Sequence, residues 1–164
     1  MRKHALIAAA VVVASVVLWA LFLRGSDEDL VRKTVSRAAA AIQVDPTENP
    51  LLRATRVRSE LLAVLAPEVS TTIPELSEPT KGRDALIGLA LATSQAWQSA
   101  EATVLLSRVT MLKTEPPSAD VDATLTLAGQ RGGGSQRDVR KVRLQLEKRD
   151  GAFRITEITV YPSN

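Results

Sequence analysis

Apolar side chains recur at steps of three and four at Val31, Val35, Ala38 and Ile42, which predicts a helix with one buried face. Ser26 can cap it, and Asp27 to Asp29 place negative charge at the positive end of its dipole. The run stops before Asp45-Pro46, because a residue that precedes proline is pushed out of the helical region. Asn49-Pro50 then starts a second helix, "LLRATRVRSELLAVL", expected to bury Leu51, Leu61, Leu62 and Leu65 and to end at Pro67. Arg53, Arg56 and Arg58 read as its solvated face. Pro74 and Pro79 limit the next stretch to a short strand and a loop. Asp84 can cap a third helix, "ALIGLALATSQAW", with Leu86, Leu89, Ala90, Thr93 and Trp97 spaced to face a sheet and Gly88 at a close contact.

After Ser99 the period changes to two. "ATVLLSRVTMLK" is a long strand, interrupted afterwards by Pro116-Pro117, and "ADVDATLTLAG" puts Val121, Ala123, Leu125 and Leu127 on one face. "QRGGGSQR" reads as a loop. In "DVRKVRLQLEKR" Val142, Leu144 and Leu146 alternate inward, and Asp150-Gly151 signals a two-residue hairpin. The last strand changes parity: Phe153 and Ile155 are odd, Ile158 and Val160 even. Straight pairing from the turn would set Ile158 against Arg143 on the wrong side. One extra residue at Thr156-Glu157 instead pairs Leu144 with Ile158 and Val142 with Val160, which predicts a β-bulge and a strongly curved sheet.

The chain's first segment has no period at all. Ala5 to Leu23, "ALIAAAVVVASVVLWALFL", holds no charge; as a helix it would extend about 28 Å, against a hydrocarbon core of about 30 Å. Arg2 and Lys3 precede it, and Leu21-Phe22-Leu23-Arg24 offers no small-x-small cleavage site, so a retained signal anchor is expected rather than a cleaved leader. This divides the 164 residues into a tail and anchor (1–25) and a soluble domain (26–164). The expected location is a bacterial inner membrane, N-terminus cytoplasmic and domain periplasmic, although Arg24, Arg32, Lys33 and Arg37 give the raw positive-inside count the opposite lean. Arg outnumbers Lys fifteen to six, in keeping with a GC-rich bacterial source. The net charge of +3 does not point to nucleic acid: Arg2, Lys3 and Arg24 flank the anchor, and the other 18 basic residues match the 18 acidic ones. Residues 131–154 nevertheless carry eight basic side chains against three acidic. Arg137, Arg140, Lys141 and Arg143 form a ribbon read as an outward strand face, with acidic proteins or lipid headgroups as the sharper option.

Two stretches carry a family resemblance. "KGRDALIGL" (Lys81 to Leu89) is similar to the start of the third helix in the NTF2-like superfamily, which includes SnoaL-like cyclases and ketosteroid isomerases. "LEKRDGAFRITEITVYP" resembles that superfamily's closing hairpin. The resemblance implies an α+β cone over residues 27–162: three helices packed on a strongly curved antiparallel sheet and enclosing a pocket. Enzymes of this kind keep acidic, Tyr or His groups inside the cone. Here the one histidine is His4, the one tyrosine is Tyr161 and there is no cysteine. No metal-ligand spacing and no nucleophile–base pair is present, so no metal or cofactor is expected. Asp120, Asp122 and Glu101 read as solvent-facing; Glu157, at the bulge, is the weak candidate for a general base. Leu89, Thr93 and Trp97 are the candidates for lining a pocket. The expected function is a non-catalytic, membrane-anchored interaction or assembly module. Its contacts would be the bilayer through residues 5–23 and a protein partner or second copy. The alternative is a small-molecule binder or isomerase/cyclase-type enzyme, which an acid pointing into an open apolar hollow would favour.

Overall fold

The computed structural model describes residues 26–162. The uncharged run Ala5–Leu23 lies outside the described residues, and among the described residues no helix is long and apolar enough to cross a membrane. Helix α1 (Asp27–Ala41) begins at a capping box. The Ser26 hydroxyl accepts from the Asp29 amide at 3.2 Å, and the Asp29 carboxylate accepts from the Ser26 amide at 3.0 Å. Helix α2 (Pro50–Val64) starts with Asn49 accepting from the Leu51 amide at 2.9 Å and buries Val57, Leu61 and Val64. Leu51, expected in the core, is instead 78% exposed, as is Leu52 beside it at 67%.

The chain passes directly from α2 into β1 (Leu65–Thr72), which continues through Pro67. Pro67 falls where the β1–β6 register is irregular, between Leu65 and Ser70, so its missing N–H does not break a regular ladder. A two-residue β2 (Thr80–Lys81) leads through Gly82, whose φ of 89° needs glycine, into α3 (Arg83–Gln95). Here the buried face differs from the expectation. Ile87 and Ser94 are buried, with Leu86, Ala90 and Leu91 packed beside them; Leu89 is half-buried and Thr93 exposed. Gly88 is exposed, with open space where a Cβ would stand, so close packing does not explain it.

Strands β3 (Ser99–Leu112), β4 (Ser118–Arg131), β5 (Gly134–Arg149) and β6 (Ala152–Val160) form an antiparallel meander. The stretch expected as a Gly-rich loop is two long strands meeting at a tight turn, with Gly132 and Gly133 at positive φ and Arg131 opposite Gly134. The full sheet runs β2-β1-β6-β5-β4-β3. It is mixed rather than wholly antiparallel, because β1 lies parallel to β6. The β5–β6 register steps between Gln145 and Leu146: Leu146 faces Ile155, Leu144 faces Ile158 and Val142 faces Val160, with Thr156 as the extra residue. A second bulge at Ser107 of β3 does the same between Leu106 and Arg108. These two bends curl the sheet, and one apolar core joins its inner face to all three helices.

Candidate functional site

The inner face of the sheet and all three helices border a cavity of about 180 Å³. Val104, Leu125, Val142 and Val160 reach it from four adjoining strands, Ile42 from just past α1 and Leu86 from α3, which makes that face of the sheet concave. Every side chain lining it is apolar. A hollow of this kind offers dispersion contacts and a dry medium, with no group to orient a substrate or move a proton.

The residues proposed from the sequence are placed as follows. Leu89, Thr93 and Trp97 do not line the cavity; the neighbouring Leu86 and Ala90 do. Trp97 sits beyond the end of α3 in a separate cluster with Val44, Ala100 and Leu127, with the Arg131 guanidinium 5.9 Å from its ring centre. Glu157 is half-buried beside Gln145 and Ser70 of the flanking strands, with an oxygen 3.5 Å from the Thr159 hydroxyl, and it is not among the lining residues. The bulge therefore carries it away from the hollow. Glu101 is exposed and Asp120 half-buried, while Asp122 accepts from Arg143 at 3.0 Å. His4 lies outside the described residues. Among the described residues no group of three or more His, Cys, Asp or Glu comes together as a metal site.

The basic ribbon divides. Arg137, Lys141 and Arg143 are exposed on the outer face, but Arg140 stands opposite Leu125 on the inner side of the pleat. There it meets Glu75 at 2.6 Å and Asp138 at 2.8 Å. Arg56 is not simply solvated. Its guanidinium donates to the carbonyls of Ala41 at 3.2 Å and Gln43 at 2.9 Å, satisfying the C-terminal end of α1, and grips Glu48 at 2.9 and 3.0 Å. Nothing in the local pattern of α2 distinguishes Arg56 from Arg58, because the partner carbonyls belong to a different helix.

Several carboxylates are held ionised by such contacts. The Arg56 hydrogen bond lowers the Glu48 pKa from the ordinary 4.5, Arg37 lowers that of Glu60, and Arg149 that of Glu68. The Thr47 hydroxyl and amide lower that of Asp45. A group whose folded pKa is depressed contributes stability in full above its unfolded value and loses it as pH falls through the folded one. The urea midpoint is therefore expected to be flat from about pH 7 to 5 and to fall steadily below the ordinary carboxylate range. A midpoint unchanged down to about pH 3 would contradict these pairings.

No protein-family model matches the sequence, and no curated protein does. Solved structures match along most of the chain. An uncharacterised protein with a cystatin-like fold from Caulobacter vibrioides is 17% identical, with a TM-score of 0.60 over 85% of this chain and 92% of its own. An NTF2-like protein with a cystatin-like fold from Novosphingobium aromaticivorans is 15% identical, with a TM-score of 0.61 over 87% and 86%. The fold is NTF2-like. The structure of LinA, 13% identical, also superposes with a TM-score of 0.65 over 84% and 86%. At these identities the likeness concerns architecture, and a shared fold does not carry a shared function.

Proposed function

We propose that this chain is a membrane-anchored NTF2-like domain that acts as a non-catalytic interaction or assembly module on the outer side of a bacterial inner membrane. The observation that carries this reading is the lining of the cone. Fifteen apolar side chains and no titratable group line the hollow that the curved sheet forms with the helices. The uncharged Ala5–Leu23 run supports the anchor, with Arg24 and Gly25 between it and the cap of α1. A tether to a surface raises the effective concentration toward other membrane proteins and confers little on turnover of a diffusible substrate.

Expression of the full chain with a C-terminal epitope tests the reading. The expected result is a full-length band in the inner-membrane fraction, resistant to carbonate wash and cut by protease only after the outer barrier is opened. A soluble band shorter by the first two dozen residues would overturn it. A second reading, a binder of small apolar molecules, draws support from the cavity itself, which is large enough for a single ring or a short alkyl chain. Heat on titration with indole, abolished by Ala90→Leu, would favour that reading.

A further inference from the structure

The outer face of the sheet carries apolar side chains in a setting where a solvated strand face would be polar. Leu105 is 69% exposed and Val139 is 42% exposed. The register sets Leu105, Thr124 and Lys141 in one row across β3, β4 and β5, and Thr103, Thr126 and Val139 in the next. Beside them, between the Ser107 bulge and the end of β6, lies a depression of about 360 Å³ bordered by Ser107, Thr124, Lys141, Arg143 and Tyr161. The cations of this face are Arg137, Lys141 and Arg143 of β5 and Arg108 of β3, opposite Asp122. Arg143 is matched by Asp122, whereas Arg137 and Lys141 have no carboxylate within ion-pair distance among the described residues. Asp120 and Glu157 lie beyond Arg143, opposite Gln145, and Glu101 is separated from Arg137 by the whole of β4.

We propose that this face docks an acidic segment of a partner protein, its apolar side chains over Leu105 and Val139 and its carboxylates on Lys141 and Arg137. The proposal rests on the module reading above and names the partner's chemistry. Charge complementarity selects the occupant: two unmatched cations flanking an apolar strip suit alternating apolar and acidic residues. A second copy would bring the same unmatched cations toward one another. A lipid surface is the competing occupant, and the test below separates it from a protein.

The test uses the full chain in its native membrane with a benzophenone side chain placed at Thr103 on this face or, separately, at Thr55 on the exposed side of α2. The expected result is a protein adduct at Thr103 whose linked segment is net acidic, reduced about tenfold in the Arg137→Glu/Lys141→Glu variant with its melting temperature unchanged. Adducts with lipid, with a second copy of this chain, with a basic segment, or insensitive to the charge reversal would overturn it. An adduct at Thr55 alone would overturn the face and leave the module reading standing. No adduct at either position would overturn both.

Discussion

Inserting one alanine after Ile155 should cost the domain about 5 kcal/mol, enough to unfold a protein whose whole stability is of order 5–15 kcal/mol. Thr156 is the single extra residue that lets Phe153 and Ile155 face inward before the bulge and Ile158 and Val160 after it. With a second extra residue the strand past the bulge shifts by one, and its side chains exchange faces. Ile158 and Val160 would leave the hollow they line, at about 1.5–3 kcal/mol each. Glu157 and Thr159 would replace them beside Leu144 and Val142, adding the penalty for an unpartnered carboxylate in an apolar site. The parallel neighbour gives no relief, because β1 is in register with β6 at Thr71–Ile158 and Thr72–Thr159. Urea unfolding of the insertion variant beside Thr156→Ala separates register from side chain. The alanine variant loses only the Thr156 hydroxyl bond to the Gln145 carbonyl and should fall by about 1 kcal/mol. An insertion variant with a native urea midpoint would mean that the hollow does not depend on this register.

The bulge was legible in the sequence because two constraints met there. The Asp150-Gly151 turn sets the register, and a buried face tolerates no apolar residue on the wrong side. Where only one constraint operated, the reading drifted. Helix α3 is apolar over most of its circumference, so Leu86, Ile87, Leu89, Ala90 and Leu91 allow several stripes, and the sheet alone decides that Leu86 and Ala90 reach the cavity. Trp97 looked like pocket lining because a helical period was carried past Gln95, where the helix ends. The parallel β1–β6 contact joins residues about ninety apart and leaves no local signature. Leu105 and Val139 escaped notice for a related reason: the Ser107 bulge breaks the alternation of β3, and Val139 sits amid charges that read as a polar run. The candidate interaction face thus became visible only when register placed these two residues on one side.

The second large effect is expected at Gly129, where Ala should cost about 3 kcal/mol. Gly129 of β4 faces Ala100 of β3, and a Cβ there would stand 2.0 Å from the Ser99 carbonyl oxygen and 2.8 Å from the Ala100 Cα. Both are backbone atoms, so no rotamer change relieves the overlap, and β3 must move. Ala100 is also tied on its other side. It exchanges hydrogen bonds of 2.8 and 2.9 Å with Val44, the residue that brings the chain from α1 across the edge of the sheet. Pushing Ala100 off Gly129 therefore strains the Val44 bridge and the packing of Trp97 against both residues. The loss should appear as faster amide exchange at Val44 and Ala100 and a lower urea midpoint, with the β5–β6 hairpin unaffected. Gly88→Ala supplies the contrast: nothing lies within 4 Å of its added Cβ, and it sits mid-helix, so that change should stabilise by about 0.5–1 kcal/mol. Opposite signs at the two glycines would show that β3 is held at its entrance by backbone contact, which keeps Thr103 and Leu105 in line with Lys141 across the sheet. A Gly129→Ala variant with a native urea midpoint would mean that the strand can yield there, and that the outer face is not a fixed surface.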